Sequence, residues 1–512
     1  MLFNSPEFLI VFLPVALLVF LALQRMGRGR LVIVWLILVS LFFYGWWNPR
    51  YLLLLALSGG VNYSLGLALS RSRGRPDKLL LALGILFNLG LLAYFKYANF
   101  FLGNIAGVFD NSFNFERIIL PLAISFYTFQ QITYLVDTRK GLTEPHGFLD
   151  YCLFVSFFPQ LIAGPIVHHS EMLTQFRRIG TPGKTSRNLA IGYSILVIGL
   201  FKKVVIADSF AQFSTPVFNL ASEGQALYTL DALAGIFSYA FQLYFDFSGY
   251  SDMAIGLACL FGIKLPINFF SPYRAQNISD FWRMWHATLS RFLRDYVYSP
   301  LGGFLCSPGR QRFNLFATMF VGGVWHGAGW TFVVYGLCHG VYSVIHQLWR
   351  IRVSGPLGLV GNRYYRAAAQ LLTFLLVVFT LALFRSDSLT AAGQLYTGLW
   401  TFGGAEFTSA YMTPLQWTSI FKFEEIIFPG IQATTMVYSL LVVALAACWL
   451  LPSTYQLFQH CEVAIDKPRA GRPPVLELTW RPNIGWALFI ALLALMSSLN
   501  LTTVSEFLYF QF

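Results

Sequence analysis

Phe8-Leu-Ile-Val-Phe-Leu-Pro-Val-Ala-Leu-Leu-Val-Phe-Leu-Ala-Leu23 is an unbroken apolar run, and its cations follow it at Arg25, Arg28 and Arg30. A helix over 7–24 is close to the length that crosses a bilayer core. The order of charges is the reverse of a signal peptide's, and no A-x-A cleavage site follows. The run therefore reads as a retained span with its N-terminus outside. Similar runs recur to the far end of the chain. The 512 residues are 56% hydrophobic and 11% charged, where soluble proteins carry about 25% charged residues. Mean hydropathy is +0.60 and aromatic residues make up 17%. These values exclude disordered, coiled-coil and collagen-like chains and argue against nucleic-acid binding. They predict an all-α polytopic integral membrane protein embedded in a lipid bilayer.

The net charge of +12 needs no polyanion partner, because multispan proteins collect Lys and Arg in their inner loops. After spans near 31–47 and 51–70, the loop from Arg71 to Lys78 also holds Arg73 and Arg75, whereas the turn Asn48-Pro49-Arg50 and the loop 104–117 are poor in cations. The alternation predicts an N-out arrangement through residue 136. The late polar segment 452–483, with Lys467, Arg469, Arg472 and Arg481, reads as inside and leaves the C-terminus outside.

Further spans or half-spans are expected near 149–167, 189–207, 229–247, 313–323, 328–349, 366–385, 432–451 and 484–500. Two middle stretches, Phe158–Pro165 and Phe245–Gly256, are interrupted by Gly, Pro or polar residues. Broken helices at membrane depth survive only where protein or a wet cavity covers the backbone, so re-entrant elements and the active region are expected there. The chain reads as one transmembrane domain over 1–512, with N-terminal spans over 7–136, a core over about 149–350 and C-terminal spans over 366–512. No repeat relates its halves.

Three constellations carry chemistry. In Phe245–Gly256, Asp246, Ser248, Tyr250, Ser251 and Asp252 crowd carboxylates and hydroxyls into an apolar stretch. They form either a polar knot that pins helices or the lining of a substrate pocket. In Asn277–Tyr296, a cap at Asn277 and an acid at Asp280 predict a helix start. One amphipathic helix would then carry Trp282, Trp285, His286, Leu289, Phe292, Leu293 and Tyr296 on one face. Its Arg283, Arg291 and Arg294 either anchor it at the interface or face an anionic donor, with His286 turned inward. In Gly322–Trp330, His326 stands between Trp325 and Gly327 in an apolar run. A neutral imidazole in a low-dielectric setting suits general-base work.

His339 and His346 lie about 10.5 Å apart along a helix, a poor spacing for a shared metal, and His168-His169 have no Cys or carboxylate beside them. All four read as structural or peripheral, and no metal is expected. The six cysteines are scattered without a CxxC pair and read as small buried hydrophobes. Gly249-Tyr250-Ser251 is followed by Asp252, so no nucleophile elbow is present.

Taken together, these stretches resemble the membrane-bound O-acyltransferase family, in particular the membrane subunits of bacterial alginate O-acetyltransferase systems. The motifs run in order from Met1–Leu9 through Tyr94–Phe100, Leu120–Tyr127 and Leu161–Pro165. Gln242–Gly256, Phe281–His286 and Trp325–Gly327 follow, and Ser505–Phe512 closes the chain. Met284 is a small departure, standing where the family has a second Arg. The resemblance implies a ring of transmembrane and re-entrant helices around a central tunnel, with His326 catalytic and His286 a second functional histidine. It implies acetyl-CoA as the acyl donor and no bound cofactor. It further implies a bacterial inner-membrane location, an exported polysaccharide as acceptor and periplasmic acetyltransferase subunits as partners. Trp325 and Trp330 are candidate oxyanion donors by proximity in sequence. Alginate is the first expectation for the polymer and bacterial cellulose the second. A transporter and a non-catalytic scaffold are the rival readings.

Overall fold

The computed structural model describes residues 1–72, 75–109, 116–143, 147–179, 185–402, 433–465, 475–501 and 508. Arg73, Lys467, Arg469, Arg472 and all of the terminal motif except Leu508 lie outside the described residues. Among the described residues every regular element is helical, and a single isolated bridge joins Leu265 to Ala464. Five helical stretches are long and apolar enough to cross a membrane: Glu7–Arg25, Arg50–Arg71, Asp77–Gly107, Thr185–Ser222 and Arg363–Arg385. The polytopic all-α expectation is therefore met. The chain divides into two compact units.

The first unit comprises Met1–Leu196, Ser251–Pro266 and Glu462–Asp466. Its helices are α1 (Leu13–Arg25), α2 (Gly29–Gly45), α3 (Arg50–Arg71), α4 (Arg75–Leu92), α5 (Ala98–Phe109), α6 (Ile124–Arg139), α7 (Phe148–Ser156), α8 (Phe158–Leu161), α9 (His169–Phe176) and most of α10 (Thr185–Phe201). The interruption expected at Phe158–Pro165 is present as the four-residue α8 and the irregular backbone after it. Part of the loop expected at 104–117 is instead the end of α5.

The sequence reading gave no hint of α6's role. Fourteen of its sixteen residues are buried, Tyr127, Thr128, Gln130, Gln131, Thr133, Tyr134 and Asp137 among them. Burying so polar a helix is costly, and part of its polar surface is met by protein groups. Gln131 Oε1 accepts from Ser58 Oγ and Asn62 Nδ2, both at 2.7 Å, and Asn62 and Asn88 exchange amide hydrogen bonds at 3.2 and 2.7 Å. This amide ladder stitches α3, α4 and α6 together. Gly66 on α3 leaves the room that the Tyr134 phenol occupies.

The second unit comprises Val197–Tyr250, Ile267–Cys461 and Lys467–Phe512. It holds α11 (Asp208–Ser222), most of α12 (Thr229–Leu260), α13 (Ile278–Met284), α14 (Ala287–Leu293), α15 (Pro308–His326), α16 (Trp330–Trp349), α17 (Arg363–Arg385), α18 (Leu389–Gly398), α19 (Ala433–Leu450), α20 (Thr454–Leu457) and α21 (Ile484–Leu499).

Two expectations are corrected. Phe245–Gly256 is not interrupted but lies within the 32-residue α12. Its glycines serve packing instead: a Cβ at Gly249 would meet Gly199 O at 2.7 Å, and one at Gly256 would meet Leu196 N at 2.6 Å. Nor is Asn277–Tyr296 one helix. It breaks at Trp285-His286, where His286 takes the left-handed conformation, φ 44° and ψ 51°. The cap at Asn277 is as expected, its side chain accepting from Asp280 N at 2.9 Å.

Gln131→Leu removes the shared acceptor of Ser58 and Asn62, both fully buried. An interhelical hydrogen bond in a membrane averages about 0.6 kcal/mol. Asn62 Nδ2 keeps Ser58 O and Asn88 Oδ1 as acceptors, but the Ser58 hydroxyl loses its own. An unmet buried donor costs about 1–3 kcal/mol, which is the larger effect. The variant should unfold at lower temperature than the parent in detergent, as read by fluorescence-detected size exclusion after heating, and an unchanged midpoint would contradict the ladder's role.

Candidate active site

α15 delivers His326 in its last turn, and α16 begins four residues later at Trp330. The two helices meet through glycine: Gly323 lies against the backbone of Gly336, so a Cβ at either would collide with its partner. Gly327 leaves room for the Phe332 ring in the same way. The glycines flanking His326 thus set the turn that presents it. His326 is 3% exposed. Its ring lies 5.1 Å from those of Trp325 and Phe384, 6.0 Å from Tyr335 and 6.5 Å from His286.

His286 reaches this place from the break between α13 and α14. A left-handed non-glycine residue costs about 1–2 kcal/mol, and Asn268 holds it there. The Asn268 carbonyl accepts from Ala287 N at 2.9 Å. Its side-chain Oδ1 accepts from Thr288 Oγ1 at 2.9 Å and Thr288 N at 3.4 Å, and lies 3.0 Å from His286 Nδ1. Those two Thr288 donors fix Oδ1 as oxygen, so Nδ1 carries the proton and Nε2 holds the lone pair. Phe247 of α12 stands edge-on to the imidazole at 4.8 Å. Tyr244, Phe269, Tyr273, Phe281 and Trp285 continue the aromatic wall. The structure therefore gathers His286, His326 and Trp325. Two buried imidazoles this close together are groups that could take up and return a proton.

Other candidates separate from this cluster. Trp330 is 55% exposed and Arg283 pairs at the surface with Asp280 at 3.0 Å. Neither joins the histidines. Asp246, Ser248 and Tyr250 are buried on α12, and Ser251 and Asp252, also buried, belong to the first unit. Asp246 is committed to an ion pair with Lys203 at 2.9 Å, and Lys203 also meets Asp208 at 2.7 Å. Leu508 N donates to the second Asp246 oxygen at 3.2 Å. Lys203 occupies the π-helical segment Lys202–Ala207 between α10 and α11, and nothing in its apolar neighbourhood marks it in the sequence. In the first unit, His168 faces Asp137 at 3.3 Å and His169 meets Thr143 at 2.7 Å, so His168 has a carboxylate partner that sequence proximity concealed.

Residues 137–377, which include every candidate from Asp246 to Trp330, match the model of MBOAT, the membrane-bound O-acyltransferase family. The probable alginate O-acetylase AlgI of Pseudomonas aeruginosa is 35% identical over the full length of both chains. The chain belongs to the membrane-bound O-acyltransferase family. It is an O-acyltransferase of the membrane. Within the family, the peptidoglycan O-acetyltransferase of Helicobacter pylori is 45% identical over 78% of this chain and 80% of that protein. A more distant member, the teichoic acid D-alanyltransferase of Bacillus subtilis, is 28% identical over 52% of this chain and 69% of its own.

The Lys203 cluster of this acyltransferase allows a test that separates a structural from a lining role for Asp246. Breaking a buried pair by removing one partner costs about 3–5 kcal/mol, whereas replacing both by apolar groups is close to neutral. Lys203→Met should therefore lose most of its folded protein in membranes. Lys203→Met with Asp246→Leu should recover much of it, since Asp208, left without Lys203, keeps 21% of its side chain exposed to solvent. Recovery of transferase activity along with the folded protein is expected. A well-folded but inactive double variant would return Asp246 to the substrate pocket.

Proposed function

We propose that this protein passes acetyl groups from a cytoplasmic thioester, acetyl-CoA or a related donor, to an exported polysaccharide at a bacterial inner membrane. The observation that carries the reading is the buried pairing of His326 with His286, whose tautomer Asn268 sets. In this scheme His326 takes the proton of an acceptor hydroxyl as its oxygen attacks the thioester carbonyl. The C–O bond forms, the C–S bond breaks, and the proton passes to the departing thiolate. Trp325, beside both imidazoles, is the indole placed to donate to the oxyanion. His286 orients the reacting groups.

Alginate is the first reading for the polymer, supported by the end-to-end match to the alginate acetylase. Peptidoglycan is the second, favoured by the higher identity to the Helicobacter pylori enzyme. Cellulose remains a further alternative within the same chemistry. Periplasmic acetyltransferase subunits are proposed to complete delivery to the sugar.

Loss of a general base typically lowers a rate by about 10²- to 10⁴-fold while leaving the fold in place. His326→Ala should insert and purify like the parent yet leave the polymer almost unacetylated, and His286→Ala should be impaired to a smaller degree. Acetyl ester per sugar, measured separately on exopolysaccharide and on peptidoglycan from a complemented deletion strain, checks both the residue and the polymer. Near-normal acetylation by a well-expressed His326→Ala protein would falsify the catalytic assignment.

The proposed orientation places both termini in the periplasm, with the cations Arg25, Arg28 and Arg30 inside. Cysteines placed at Arg28 and Arg50, both exposed, should then be labelled from opposite sides by a membrane-impermeant maleimide. Labelling of both from one side would overturn the orientation.

A further inference from the structure

One face of α16 continues inward from the histidine pair. Tyr335, whose ring is 6.0 Å from that of His326, stands one turn before His339, and the two rings are 4.5 Å apart. His339 is 1% exposed, and among the described residues neither ring nitrogen has a hydrogen-bond partner. Trp282 of α13 closes the other side, edge to face with His339 at 5.0 Å. It is 8% exposed, and its indole N–H likewise has no acceptor among the described residues. Phe281 at 6.3 Å, nearly parallel to the imidazole, and Tyr342 at 5.8 Å complete the walls.

Such groups are rarely buried without partners, since each unmet donor or acceptor costs about 1–3 kcal/mol. Their chemistry narrows what they would receive. Indole offers a donor only, and a neutral imidazole offers one donor and one acceptor. Walls made of Phe281, Tyr335 and Tyr342 carry no charge, so a phosphate or carboxylate would enter at a desolvation penalty that nothing there offsets. A secondary amide presents an acceptor and a donor on adjacent atoms, is uncharged, and is flat enough to lie between aromatic rings.

We infer that Trp282 and His339 form a binding subsite for a secondary amide of a substrate, one aromatic ring away from His326. The inference rests on the acyl-transfer reading of that histidine. Two substrates could supply the amide: the arm of a thioester donor, or an N-acetyl group on an acceptor sugar.

Ligand-observed NMR on the full-length protein in lipid nanodiscs tests this with four probes. S-acetyl-N-acetylcysteamine and chitotetraose carry amides, whereas ethyl thioacetate and an oligomannuronate do not. The parent should bind at least one amide-bearing probe. Trp282→Phe and His339→Phe should each weaken that binding about tenfold, a change of about 1.4 kcal/mol, and leave the amide-free probes unaffected. Loss confined to the cysteamine thioester places the donor arm in the subsite, and loss confined to chitotetraose places the acceptor there. Failure of the parent to bind either amide, or variants that bind both as the parent does, overturns the inference. So does an equal loss across amide and amide-free probes. His326→Ala should keep amide binding, so a failed transfer reading and a failed subsite are told apart.

Discussion

The arrangement around the histidines depends on the side chain and carbonyl of Asn268. A buried chain has little freedom to leave backbone groups unpaired, yet the helix breaks between α13 and α14 at a left-handed histidine. Asn268 makes that tolerable by accepting from the Ala287 amide and from Thr288 while meeting His286 Nδ1. One residue therefore supports the strained backbone and selects the imidazole tautomer. Remove its hydrogen bonds, and α14 has no reason to start where it does, the ring loses its orientation, and the aromatic wall from Tyr244 to Trp285 has nothing to surround.

Buried polar groups are paired across helices elsewhere too, in two different ways. In the first unit the solution is neutral: an amide ladder joins Ser58, Asn62, Asn88 and Gln131. In the second it is ionic, with Lys203 between Asp208 and Asp246. Both devices join helices that are distant in sequence, and both are directional where packing of apolar surface is not. A membrane protein gains little from apolar helix–helix contact relative to lipid, so polar contacts and glycine-mediated close approach carry more of the specificity. The contacts of Gly323 with Gly336 and of Gly256 with Leu196 are the glycine half of that scheme.

Much of this was legible from residue order because hydropathy and length govern what can span a bilayer. The apolar runs became helices close to where they were expected, the interruption at Phe158–Pro165 is real, and His286 does turn inward. Periodicity, however, reports which face of a helix is apolar and is silent on where the helix stops. The face from Trp282 to Leu293 was read correctly, while the break at Trp285-His286 inside it was not, because its cause is Asn268, eighteen positions earlier. Glycines were mistaken for breaks in Phe245–Gly256 because a sequence cannot tell a glycine that bends a helix from one that admits a neighbouring backbone. Proximity in sequence also misled at Trp330, which starts a new helix and points outward. Lys203, Asn268 and the polar interior of α6 were missed for one reason: each is defined by a partner far away in the chain.

The division of labour between ions and imidazoles follows from the cost of burying charge. A buried carboxylate needs a standing counter-ion, as Asp246 needs Lys203. An imidazole that is neutral at rest needs only a partner for its N–H, which Asn268 supplies to His286, and becomes an ion only for the moment that it holds a proton. Lys203, Asp208 and Asp246 thus form one ionic cluster that fastens helices, while the imidazoles of His326 and His286 are surrounded by the polarisable rings of Phe247, Trp325, Tyr335 and Phe384. On this argument Asp246, through its pairing with Lys203, fastens α12 to the segment between α10 and α11.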